Sequence, residues 1–147
     1  MLPSVPNLAG TVEAAVTVYR HILAVEDTIA QCIEMDSLNK TSYEFIIGKY
    51  QSEVADLVIM IGVLVGQEAR RSDVAKNVLF ETVNNLIGII AQQNQETASA
   101  DPRSFTKACR DLPTAIVNQT TPFGPLEHRF PEEIGVIRGW WEKNIHN

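Results

Sequence analysis

Cysteine is scarce in this chain. Only Cys32 and Cys109 are present, with no CxxC, no CxxCH and no Cys/His cluster at zinc spacing, which excludes dithiol redox motifs, haem attachment and structural zinc fingers. Basic charge is scarce too: 12 Lys and Arg stand against 18 Asp and Glu, for a net charge of -6, and Arg70-Arg71 is the one adjacent basic pair. Without a basic surplus the counterion-release contribution that drives nucleic-acid affinity is missing, so nucleic acid is excluded as a partner. The acidic residues are dispersed along the chain and read as solvated surface.

Long apolar runs are also missing. The most apolar stretch, LVIMIGVLVG at residues 57–66, covers about half of a ~30 Å hydrocarbon core at about 1.5 Å per residue. It is too short to span a membrane, and its Gly62-x-x-x-Gly66 pair signals close packing chiefly in full-length membrane helices. The first ten residues, MLPSVPNLAG, carry neither a basic n-region nor an apolar h-region, so no signal peptide is expected in them. A mature exported chain would begin in the same abrupt way.

Catalytic signatures are lacking as well. The chain has no phosphate-cradling glycine loop, GxSxG, HExxH or EF-hand loop. It has no Glu-x-x-His spacing, which would place two metal ligands on one helical face; Glu127 and His128 are adjacent and diverge. No cofactor or metal is expected, and no residue pattern supports an enzyme. A nucleophilic cysteine would need a base, for which the chain offers His21, His128 and His146. His21 falls one step off an apolar seam and reads as a half-exposed structural histidine.

What is present is helical periodicity. With 147 residues, 45% hydrophobic and 20% charged, the chain reads as a single helical domain able to bury its own core. After a lead over 1–10, Ala15, Val18, Ile22, Val25, Ile29 and Cys32 alternate spacings of three and four, predicting a first helix over 7–35 with Thr11 as its N-cap. A polar turn, DSLNK, precedes Thr41-x-x-Glu44, the form of a capping box. The second seam runs Tyr43, Ile47, Tyr50, Val54, Leu57, Ile61, Leu64 and then widens, so this helix is enclosed or meets another chain. A third helix, capped by Ser72 or Asp73, runs through Val74, Val78, Leu79, Val83, Leu86 and Ile90 and fades in AQQNQETASA. Asn84 and Asn85 interrupt it, at the surface or at a register-fixing core position. Gly48, Gly62, Gly66 and Gly88 are read as permitting close helix approach.

Asp101-Pro102 predicts a fourth helix toward Thr120, kinked by Pro113. A proline-rich connection over 120–131 leads to a terminal helix over 131–145, opened by Pro131-Glu132-Glu133. The fold class is therefore all-α, a four-helix up-and-down bundle with a kinked fourth helix and a short C-terminal helix.

In an antiparallel bundle the end of the first helix and the start of the fourth share one end, which makes a Cys32–Cys109 disulfide geometrically permitted. The competing reading is two free cysteines acting as small buried hydrophobes. A bridge would place the protein in the periplasm or outside the cell, and free thiols in the cytoplasm.

Two functions compete. One is binding to another protein, of inhibitor, immunity or adaptor type, or self-assembly as a homo-oligomer, through the apolar face of residues 57–65 or the aromatic C-terminal segment. Its candidate residues are His128, Arg129, Phe130 and Trp140; Ile134, Ile137 and Trp141 recur at three and four, so Trp141 is placed on the packed face and Trp140 off it. The alternative is a carrier of a small apolar ligand, with Tyr43, Tyr50 and Met60 along the cavity wall.

Overall fold

The computed structural model describes residues 10–70, 73–117 and 125–146. The chain is all-α, and no strand occurs among the described residues. In order, α1 is Gly10–Met35, a 3-10 turn is Ser37–Asn39, α2 is Lys40–Arg70, α3 is Asp73–Ala100, α4 is Pro102–Arg110, α5 is Leu112–Val117, α6 is Leu126–Arg129 and α7 is Pro131–Trp141. A π-type turn, Glu142–His146, follows α7. The chain groups into two compact units. The first takes Met1–His21, Ala55–Leu86 and Leu126–Asn147, and the second Ile22–Val54 and Ile87–Pro125.

The α1 seam is buried at every position the spacing picked, from Ala15 to Cys32. Each Val or Ile so removed from water contributes roughly 1.5–3 kcal/mol before entropy is counted. Thr11 lies inside α1 and is not its N-cap, because the helix already includes Gly10; residues 1–9 lie outside the described ones. In the first unit the core comes from Val12, Ala15 and Val18 of α1, Leu57, Ile61 and Leu64 of α2, and Ile134, Ile137 and Trp140 of α7.

In the second unit the buried positions of α2 are Tyr43, Ile46, Tyr50 and Val54, with Ile46 taking the place expected for Ile47. The Thr41–Glu44 capping box does not form. The 3-10 turn runs directly into α2 at Lys40, so Thr41 is already helical, and Glu44 pairs instead with Lys40 Nζ at 3.6 Å. Helix α3 does not fade but continues through Ala100. Ala98 is buried there, and Gln92 bonds Glu96 one turn on at 3.1 Å. Ser72 lies outside the described residues, as do the side chains of the α3 seam before Ile90; Ile90 is buried and Asn85 exposed.

Asp101 caps α4 by accepting the Ser104 backbone N–H at 3.2 Å, with Pro102 opening the helix. After Arg110 the backbone turns at Asp111 and resumes as α5, in which Pro113 is the second residue. Pro113 has no N–H to offer the Cys109 carbonyl, which accounts for a break at this place. Gly48, Gly62, Gly66 and Gly88 are exposed, and a Cβ built on any of them meets nothing within 4 Å. They do not mediate close helix approach within the described chain.

Candidate functional site

The densest polar arrangement among the described residues is at the C-terminal end of α1, within the second unit. Cys32 and Cys109 sit at disulfide-bonding distance, Cα to Cα 5.5 Å and 77 residues apart, and both are buried. One turn beyond Cys32, the Asp36 N–H donates to the Cys32 carbonyl at 2.9 Å, which brings the Asp36 carboxylate to the same end.

That carboxylate is buried, and its Oδ2 is a hub. It accepts from the Tyr43 hydroxyl at 2.7 Å, from Asn39 Nδ2 at 2.8 Å and from Arg110 Nε at 3.4 Å. The Asp36 side chain is 4% exposed and the Arg110 side chain 63% exposed, so the anion is inside and its cation is mostly in water. The Tyr43 bond above all, then the Asn39 bond, hold the Asp36 carboxyl below its ordinary 3.8, against the opposing effect of burial; Arg110 adds to the lowering. Burial first, and then the bond to Asp36 and its charge, push the Tyr43 hydroxyl from 10.0 up to about 12. A carboxylate with three donors on one oxygen is poorly suited to act as a general base. It ties the start of α2 and the end of α4 to the end of α1.

Nothing in the local sequence marks this hub. Asp36 reads as one more polar turn residue, and its partner Arg110 is 74 positions away. The legible part of the signal is Cys109: placing Cys32 beside it also brings Arg110 within reach of Asp36.

The expected partner-binding quartet does not assemble as one surface. His128 and Arg129 are exposed on α6, and Phe130 is half-buried with its ring edge-on to His21 at 5.2 Å and the Arg129 guanidinium 5.7 Å from its centroid. His21 is half-buried, in keeping with a structural histidine. Trp140 is 7% exposed, buried with Ile134 and Ile137, while Trp141 is only half-buried, the reverse of the order expected. The reason is polar: the buried indole N–H of Trp140 donates to Glu68 Oε1 at 3.0 Å, a partner supplied by α2 that no local spacing reveals. Arg138 and Glu127 pair across the same segment at 3.0 Å, both half-exposed.

The three residues proposed to line a ligand cavity are divided between the two units: Tyr43, engaged by Asp36, and Tyr50 belong to the second, and the half-buried Met60 to the first. The Tyr50 hydroxyl is buried without a hydrogen-bond partner among the described residues, and burial, then the charges of Glu26 and Glu53, push its ionisation upward. A groove of about 250 Å³ in the second unit is lined by Leu23, Glu26, Asp27, Ala30, Ile47 and Ile90, and by none of the three. Its two carboxylates already accept bonds, Glu26 from Gln51 at 3.4 Å and Asp27 from Asn94 at 2.6 Å. Among the described residues no cluster of three or more His, Cys, Asp or Glu is placed to hold a metal ion, and no helix is long and apolar enough to cross a membrane.

No protein-family model, no curated protein and no solved structure matches this chain.

Proposed function

We propose that this is a non-enzymatic helical protein of an oxidising compartment, periplasmic or secreted, that acts by binding another protein. The observation that carries the reading is the pair Leu38, of the 3-10 turn, and Phe45, in the first turns of α2, which are 95% and 74% exposed. Seven residues apart in the chain, they flank the junction at which the 3-10 turn runs into α2. Single exposed apolar residues are ordinary, but two large ones this close together in the chain suit an interface anchor. The Cys32–Cys109 pair supports the compartment, since such bridges persist where thiols are not kept reduced. The four-helix up-and-down arrangement with a kinked fourth helix goes with this reading, supported by three long helices with short links and by the break at Asp111 ahead of Pro113.

The experiment is photo-crosslinking from the exposed position 41, between the two, in the native compartment, in the otherwise unchanged chain and in Phe45→Glu, Leu38→Glu and Arg129→Glu variants. One crosslinked protein is expected, lost in the Phe45 and Leu38 variants and kept in the Arg129 variant, with unchanged melting temperature and intact disulfide. Loss only in Arg129→Glu would move the interface to the α6 segment. A dimer of this chain seen by light scattering and abolished by Phe45→Glu would replace a foreign partner with self-assembly.

A further inference from the structure

We propose that the groove along α4 is a binding site for a compact anion with two phosphoryl groups, the inorganic diphosphate class. Pro102, Arg103, Thr106, Lys107 and Arg110 line a shallow, solvent-open recess of about 350 Å³ within the second unit. The three cations stand at i, i+4 and i+7, one side of a helix, and span about 10 Å along its axis. In a chain of net charge -6, this concentrates three of its 12 Lys and Arg on two turns of helix.

Two of the three cations are uncommitted. Among the described residues neither Arg103 nor Lys107 pairs with a carboxylate. Arg110 is oriented rather than neutralised: Asp36 takes its Nε at 3.4 Å, and its terminal nitrogens have no partner among the described residues. A guanidinium held through Nε keeps the two N–H directions that suit a phosphoryl oxygen pair. Asp101 is occupied by the Ser104 N–H, and neither Asp101 nor Asp111 lines the groove. The Thr106 hydroxyl adds a neutral donor.

Charge and length select the ligand. A monocarboxylate would match one of the cations, and a single phosphoryl group reaches about one turn of the helix. Two linked phosphoryl groups carry enough charge for three cations and reach both Arg103 and the Lys107–Arg110 pair. An extended nucleic acid finds no continuing basic surface on so acidic a chain.

The test is calorimetric titration of the oxidised, full chain with inorganic pyrophosphate and, separately, orthophosphate at low ionic strength. Saturable one-to-one binding of pyrophosphate is expected, about tenfold or more tighter than orthophosphate. The double variant Arg103→Gln/Lys107→Gln is expected to weaken it at least about tenfold, and Lys49→Gln to leave it unchanged. Added salt should weaken binding steeply. Absence of saturation at millimolar pyrophosphate, equal affinity for the two anions, or full binding by a folded double variant would each overturn the proposal.

Discussion

The hydroxyl of Tyr43 donates to the carboxylate of Asp36 at 2.7 Å, joining the first turns of α2 to the end of α1. Around this bond the second unit gathers Asn39, Arg110 and the Cys32–Cys109 bridge. A buried charge of this kind is kept by its donors, and the donors are kept in place by it.

Acid should undo the hub. The Asp36 carboxyl is held below 3.8 in the fold, so its contribution to stability is present above that ordinary value and is lost as pH falls through the lower folded value. Replacing Tyr43 by Phe removes the largest cause of the lowering. Nuclear magnetic resonance titration of the Asp36 carboxyl should show its midpoint rising toward 3.8 in Tyr43→Phe, with acid unfolding moved to higher pH.

Alkali acts in the opposite direction. Tyr43 ionises at about 12 in the fold against 10.0 when unfolded, so the stability it contributes is complete below 10 and fades as pH rises toward 12. Tyr50 shifts the same way. The tyrosinate absorbance of these two should therefore develop late and together with unfolding, and Tyr43→Phe should remove part of the late rise. A full early rise with the fold intact would contradict the burial of both hydroxyls.

Reduction should also cost stability. The bridge closes 77 residues, which the chain-entropy relation values at about 4.5 kcal/mol and measurement more often at about 2–4 kcal/mol. Urea titrations with and without a reductant should differ by that amount, and Cys32→Ser/Cys109→Ser should match the reduced protein.

The two adjacent tryptophans should behave differently. Trp140→Ala removes a buried ring and leaves Glu68 without its indole donor, costing about 3–5 kcal/mol, whereas Trp141→Ala should cost much less. Comparison of denaturation midpoints and fluorescence maxima decides it, with the bluer emission assigned to Trp140.

The single-domain expectation has its own test. Ile137 belongs to the first unit and Ile29 to the second, and both are fully buried. Each truncation to Ala should cost about 2–5 kcal/mol. In a cooperative domain both shift one calorimetric transition equally; two transitions, each moved by one variant, would divide the chain.

Residue spacing alone was enough to place much of the molecule. The seam of α1 is buried as read, Asp101-Pro102 opens α4, and Pro131 opens α7, because periodicity and capping are local physics written within a few residues. Local rules also misled where neighbours in sequence were not the deciding ones. Thr41 reads as a cap until the 3-10 turn at Ser37–Asn39 makes it helical, and Gly48 and Gly62 read as packing contacts until their surroundings prove open.

The sequence by itself determined that this chain is helical, which faces of its helices are apolar, and that two cysteines were available to meet. Only the tertiary structure decided that Trp140 rather than Trp141 is buried, that Asp36 is a hub rather than a turn residue, and that Arg103, Lys107 and Arg110 share a groove. The reason is common to all three. Helix formation follows from residues three or four apart, but the cost of burying an indole N–H or a carboxylate is met by partners such as Glu68 and Arg110, more than 70 positions away.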